Sequence, residues 1–143
     1  MKELIKNIEN WAAERNLLSA DNAENQYLKY LEEVGETARA ILKKDKTNIV
    51  DGFGDIAVTV IILAKQLGCP LQNELFMDNL DKNKSFSWFM SGISEETVVY
   101  SSLDYINDVS MYYGHSLEEC LTAAWNEIKN RQGKTIDGVF VKN

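Results

Sequence analysis

Residues 31–67 read LEEVGETARAILKKDKTNIVDGFGDIAVTVIILAKQL, two acidic clusters on either side of a short polar turn. The first cluster is Glu32, Glu33 and Glu36, and the second is Asp51 and Asp55. At about 100° per residue, Glu33 and Glu36 share one helix face, as do Asp51 and Asp55. The segment KKDKTN between them is rich in charge and turn formers, so two helices joined there are expected to pack antiparallel. Four or five carboxylates then converge. Like charges at these spacings destabilise a helix, and bringing two such helices together costs more unless a cation neutralises them. Hard oxygen donors in that number suit Mg²⁺, with Mn²⁺ as the alternative. The competing reading is a pair of solvated acidic faces. Against it stands the run AVTVIILA close behind Asp55, because a carboxylate leading into so apolar a segment is not wholly in water. Gly35 and Gly54 each precede a carboxylate; a glycine inside a helix costs about 1 kcal/mol against alanine, so the two point to close backbone approach or room for a ligand.

Outward from this stretch, the pattern is helical throughout. Leu4, Ile5, Ile8, Trp11 and Ala12 predict a first helix over 3–16. Asp21 with Glu24 reads as a capping box for a second helix, whose apolar side carries Tyr27, Leu28, Leu31, Val34, Ala38 and Ile41. Thr47 is placed to cap the third, which stops at Gly68 with Pro70 beyond it. A helix over 94–113 ends at Gly114, and Ser116 with Glu119 opens the last one, through Arg131. Gln132 to Asn143 is expected to be extended and irregular. The fold class is therefore all-α: an antiparallel bundle of five to six helices in one domain spanning 1–143. Its acidic helix pair occupies 22–68, its second half 71–131 and its tail 132–143. The second half repeats the first weakly. Laying Gly68 on Gly114 brings Leu71 onto Leu117, Leu75 onto Leu121, Val60 onto Ile106 and Leu63 onto Val109. The apolar skeleton is kept and the chemistry is not, since Asp55 falls on Ser101; chance alignment of two amphipathic pairs is the alternative.

Composition narrows the function. With 143 residues, 45% of them hydrophobic, the chain can bury a real core. A net charge of −7 argues against nucleic acid or an anionic membrane as partner. Cys69 and Cys120 match no metal spacing and read as reduced, buried thiols, which with the charged amphipathic start MKELIKNIENW points to a cytoplasmic protein. The run from Ile56 to Ala64 is too short to span a bilayer. His115 is the single histidine and is expected to be exposed. No Ser/His/Asp or Cys/His arrangement offers a covalent nucleophile, and there is no glycine-rich phosphate loop.

The acidic motifs also carry a resemblance. Glu33-Val-Gly-Glu36 followed by Asp51-Gly-Phe-Gly-Asp55 resembles the paired acidic motif of the MazG-like, all-α nucleoside triphosphate pyrophosphohydrolases, a superfamily that includes the dimeric dUTPases. Its pattern is E-x-x-E on one helix and E-x-x-D on the next, and Glu33, Glu36 and Asp55 match it residue for residue. Gly52 stands where the second-helix glutamate would be, and Asp51 is one place early. Asp51 still lies about 40° from Asp55 around a helix, near enough to take over that ligand role with a shorter reach. The duplicated helix pair with one live half is similar to the arrangement of the dimeric dUTPases.

The resemblance implies a Mg²⁺-dependent pyrophosphohydrolase that converts a nucleoside triphosphate to the monophosphate and pyrophosphate in house-cleaning of the nucleotide pool. Glu33, Glu36, Asp51 and Asp55 would ligate the metal, and Glu32 or Glu33 would orient the attacking water. The stretch WNEIKNRQGKTIDGVFVKN resembles the family's closing motif, an Asn/Lys/Arg-Gln-Gly run ending in an aromatic and a lysine. It implies phosphate contacts from Asn126, Lys129, Arg131 and Lys134, whereas the bland reading of these cations is a favourable helix C-terminus. Trp11 is a core residue or a stacking platform for the base; Gln26 and Lys29, one or two turns before the carboxylates, are within reach of substrate. Trp88 and Trp125 read as core or interface residues. A homodimer or homotetramer is expected. The alternative is a catalytically degenerate nucleotide-binding or assembly module, in which Gly52 marks the loss of the chemistry.

Overall fold

The computed structural model describes residues 1–69, 71 and 102–142. Among them lie five α-helices: α1 (Lys2–Glu14), α2 (Ala23–Lys43), α3 (Lys46–Gln66), α4 (Ser102–Tyr112) and α5 (Leu117–Ile128). A 3₁₀ turn (Ala20–Asn22) precedes α2, and two strands, β1 (Gly133–Ile136) and β2 (Val139–Lys142), follow α5. The mainly α architecture is the one the periodicity predicts.

Helix α3 is the axis of the molecule. Every residue from Ile56 to Ala64 is buried, so this helix needs neighbours on all sides, and α1, α2, α4 and α5 all pack on it. Among the described residues it is also the one helix long and apolar enough to cross a membrane, and 72% of that span is buried inside the protein.

Helices α2 and α3 are antiparallel. Gln26, early in α2, donates from Nε2 to the carbonyl of Thr59, late in α3, whereas Thr37 meets Gly52 at the opposite end. The turn between them holds Lys44 in the left-handed region at φ 56° and uses Asp45, rather than Thr47, as the cap: its carboxylate accepts from Asn48 N at 3.2 Å. Helix α5 runs antiparallel to α3 on the other side, so closely that a Cβ at Gly54 would lie 2.3 Å from the carbonyl oxygen of Cys120. Gly54 thus marks a close approach. Gly35 does not, since a Cβ there would meet nothing within 4 Å.

Several local expectations change. Ser19 caps the 3₁₀ turn by accepting from Asp21 N, and α2 begins after it without a side-chain cap, so Asp21 and Glu24 form no capping box. Ser116 does cap α5, but Glu119 bonds His115 Nδ1 at 3.1 Å rather than reaching back to Ser116; His115 is consequently half-buried, and α5 ends at Ile128. Cys120 is buried, whereas Cys69 is only partly so; both are free. The larger change is the face of α2. It buries Gln26, Tyr30, Glu33, Val34, Thr37 and Ala40, and leaves Leu28 and Leu31 57% and 41% exposed. The bond to Thr59 and the Thr37–Gly52 contact fix this rotation, which turns the polar stripe of α2 inward.

The tail is extended but regular. β1 and β2 pair antiparallel, with Thr135 opposite Phe140 and Ile136 opposite Val139. The two residues between them, Asp137 and Gly138, have φ of 49° and 79°, the two positive values of a hairpin turn whose twist matches its strands. Leu75 and Ser101 of the expected repeat, together with Trp88 and the start of the helix over 94–113, lie outside the described residues.

Candidate active site

The inward stripe of α2 places Gln26, Lys29, Glu33 and Glu36 along one wall of a cavity of about 430 Å³. Facing them on α3 are Asp55, Val58, Thr59 and Ile62; Trp11 of α1 and Ile128 and Arg131 at the end of α5 close one side, and Phe140 and Lys142 of β2 another. Because α2 and α3 are antiparallel, Glu33 and Glu36 stand at the level of Asp55, and Gln26 stands at the level of Thr59, one turn further along. The cavity therefore has a carboxylate end and a more apolar end.

Charge at the carboxylate end is only partly compensated. Lys29 Nζ lies 2.7 Å from both Glu32 Oε2 and Glu33 Oε1. Burial alone would lower the Lys29 pKa, but the hydrogen bonds to Glu32 and Glu33 outweigh it and hold the ammonium above its ordinary value, hence charged. Glu33 is buried beneath this cation, while Glu32 is exposed and outside the cavity. Glu36 is exposed and lines it. Asp55 has no such partner among the described residues: burial, and then Glu33, Asp51 and Glu127, push its carboxyl up to about 7 against the opposing pull of Arg131. Asp51 is also raised, by burial first and then by Glu127, and it faces a shallow groove with Glu127 and His115 instead of the cavity.

Of the residues singled out in the sequence, the cavity thus brings together Trp11, Gln26, Lys29, Glu33, Glu36, Asp55 and Arg131. It does not include Glu32, Asp51, Asn126, Lys129 or Lys134. Asn126 and Lys129 bond each other at 2.7 Å on the exposed side of α5 and the turn after it. Lys134 sits on the outer face of the hairpin, opposite Val141, whereas Lys142 shares the inner face with Phe140. Arg131 is paired with Glu127. Phe140, Lys142, Asn25 and Glu127 escaped the sequence reading; the signal for the first two was Asp137-Gly138 between alternating residues, the mark of a hairpin.

Gly52 now has a reason. A Cβ there would lie 2.3 Å from Thr37 Oγ1 and 3.2 Å from Thr37 Cα, so the helices meet where the family's pattern carries a glutamate side chain. Among the described residues, no three of Asp, Glu, His and Cys come close enough to hold an ion, so the four expected ligands do not form a ready-made shell. The donor chemistry nevertheless fits a hard divalent cation. Glu33, Glu36 and Asp55 share one cavity; burial first and then repulsion by Glu33 raise Asp55, and such a cation would relieve that repulsion.

Comparison with known proteins agrees with this geometry. Residues 22–83 match the family model of the MazG nucleotide pyrophosphohydrolase domain. Over 66 residues the chain is 42% identical to an uncharacterized 18.2 kDa protein from the rep-hol intergenic region of Haemophilus phage HP1 (strain HP1c1). That match covers 46% of this chain and only 40% of the phage protein. No solved structure matches. The segment that carries Gln26, Lys29, Glu33, Glu36 and Asp55 thus lies within the stretch that matches the MazG nucleotide pyrophosphohydrolase domain.

Proposed function

We propose that this chain is a Mg²⁺-dependent nucleoside triphosphate pyrophosphohydrolase that cleaves the α–β phosphoanhydride bond to give a monophosphate and pyrophosphate. The observation that carries it is the convergence of Glu33, Glu36 and Asp55, from two antiparallel helices inside the matched segment, on one cavity with cations and aromatic rings in its walls. Glu33, Glu36 and Asp55 would hold Mg²⁺, or Mn²⁺ in its place, whereas Asp51, one turn from Asp55, faces the neighbouring groove and adds no donor. When bound, the ion would neutralise phosphate charge and acidify a coordinated water.

The chain's own residues do the positioning. Of the two carboxylates named for orienting the water, Glu33 is the one inside the cavity, and it takes that role; its ion pair with Lys29 must open first. Lys29 is then released toward the phosphates, where Arg131 and Lys142 add charge-assisted donors. Trp11 and Phe140 supply the apolar wall for the base. Asn126, Lys129 and Lys134 make no phosphate contact in this arrangement. The tail resemblance favours dUTP or dCTP among substrates, and a nucleotide-pool role in the cytoplasm follows from the same reading. The exposed Leu28 and Leu31 support a homodimer or homotetramer, which light scattering after size exclusion would test.

Pyrophosphate release from a panel of ribo- and deoxynucleoside triphosphates, with and without EDTA, tests the reaction class. A second reading has two observations in its favour: Lys29 already neutralises Glu33, and the approach of Thr37 at Gly52 leaves no room for a fourth ligand side chain there. In that case the chain is a nucleotide-binding module, and triphosphates bind without turnover.

A further inference from the structure

Arg15, at the end of α1, does not line the cavity, yet it touches three residues that do. Its guanidinium carbon lies 4.4 Å from the centre of the Trp11 ring and 5.8 Å from that of Phe140. Nη1 donates to the Trp11 carbonyl at 3.0 Å and Nη2 to the Arg131 carbonyl at 2.9 Å. The Arg15 carbonyl, in turn, accepts from Thr135 Oγ1 on β1. The side chain is 16% exposed, and its Nε is buried with no hydrogen-bond partner. Trp11 and Phe140 meet edge to face at 5.4 Å beside it. A cation at a helix C-terminus ordinarily does no more than satisfy the last carbonyls, and the Trp11 bond is of that kind. The guanidinium contacts to Arg131 and Phe140 are not, because both residues belong to the chain after α5.

We propose that Arg15 is a positioning residue that fastens the C-terminal hairpin onto Trp11, so that the hairpin forms one wall of the cavity and sets Lys142 along it. The proposal rests on the reading of that cavity as the nucleotide site. A planar guanidinium suits the task, since it bridges two carbonyls in its plane while its faces pack on rings; a lysine ammonium can do neither together. The second fastening, from Asn25 Nδ2 to the Asp137 carbonyl at 3.0 Å, holds the hairpin tip to α2 independently. The hairpin is accordingly tied at both ends, and loss of the Arg15 side chain loosens the end nearer the rings, leaving there the Thr135 bond to the main-chain carbonyl of residue 15 and the Trp11–Phe140 contact.

The test uses full-length wild type, Arg15→Ala and Arg15→Lys. Hydrogen exchange should speed up at least about tenfold across 133–142 in Arg15→Ala, with α2 and α3 unchanged. KM for the triphosphate that wild type turns over fastest should rise about tenfold, with kcat within about twofold. Arg15→Lys should behave like Arg15→Ala. Full rescue by lysine would overturn the proposal, because it would reduce Arg15 to a helix-end charge. Unchanged exchange in the hairpin would overturn it too, as would a freed hairpin with unchanged KM. If Arg15→Ala does not fold, Phe140→Ala removes the ring that the guanidinium packs on from the hairpin side and carries the same exchange prediction. Should wild type turn over no triphosphate, the nucleotide reading falls, and the exchange data alone decide whether Arg15 holds the hairpin.

Discussion

The acidic helix pair and the C-terminal hairpin face each other across one cavity, and they are held there by different means. α2 and α3 meet side chain against backbone at Gly52, and α3 and α5 meet backbone against backbone at Gly54, contacts that leave no slack. The hairpin rests on a few side-chain bonds and a pair of rings, those of Arg15, Asn25, Thr135 and Phe140. The difference teaches where each half of the chemistry belongs. On the proposed reading, the carboxylates that must converge against their own repulsion come from the rigid pair, with Lys29 beside them, and Lys142 comes from the half held by fewer contacts.

Changes in the rigid pair should have the largest effects on turnover. Glu36→Gln and Asp55→Asn should each cut triphosphate hydrolysis by at least about a hundredfold with helix content intact by circular dichroism; retained activity would remove the residue from the site. Restoring the family's acid is predicted to do harm. Gly52→Glu should destabilise the fold by about 2–3 kcal/mol in urea melts, because its Cβ collides with Thr37 and the helices must separate. A stable, more active Gly52→Glu would show that the close approach is not the reason for the glycine.

On the hairpin, Lys142→Ala should raise KM about tenfold, and Lys134→Ala should leave it within about twofold, since only the first lines the cavity. Equal effects would erase the distinction between the hairpin's two faces. A further effect is a pH slope. Asp55 is shifted from 3.8 to about 7, so across that range the folded state keeps a proton that the unfolded state has lost. Its contribution to stability therefore falls as pH rises through that interval in EDTA, and Asp55→Asn should flatten the slope of melting temperature against pH.

The same contrast explains what could be read from the sequence. The helix pair was legible because 3.6-residue periodicity, an acidic spacing and a charged turn all pointed one way, and Glu33, Glu36 and Asp55 do share the cavity. The rotation of α2 was not, because Leu28 and Leu31 outweigh Gln26 and Thr37 in any apolar pattern, and only the contacts with Thr59 and Gly52 reverse the choice. The hairpin was hidden by its length: four residues per strand carry little alternation, and Asp137-Gly138 alone announced it. Lys134 and Lys142 are alike in sequence; strand register, which assigns them to opposite faces, separates them.

The most direct test of the central claim is to identify the phosphate product. Wild type is incubated with each triphosphate and Mg²⁺, with EDTA and Glu36→Gln as controls, and pyrophosphate and orthophosphate are measured separately. The account predicts EDTA-sensitive pyrophosphate in equal amount to the monophosphate, and none from Glu36→Gln. Orthophosphate alone would move the cleavage to another bond, and no release of either from folded protein would contradict the assignment of Glu33, Glu36 and Asp55 to a working active site.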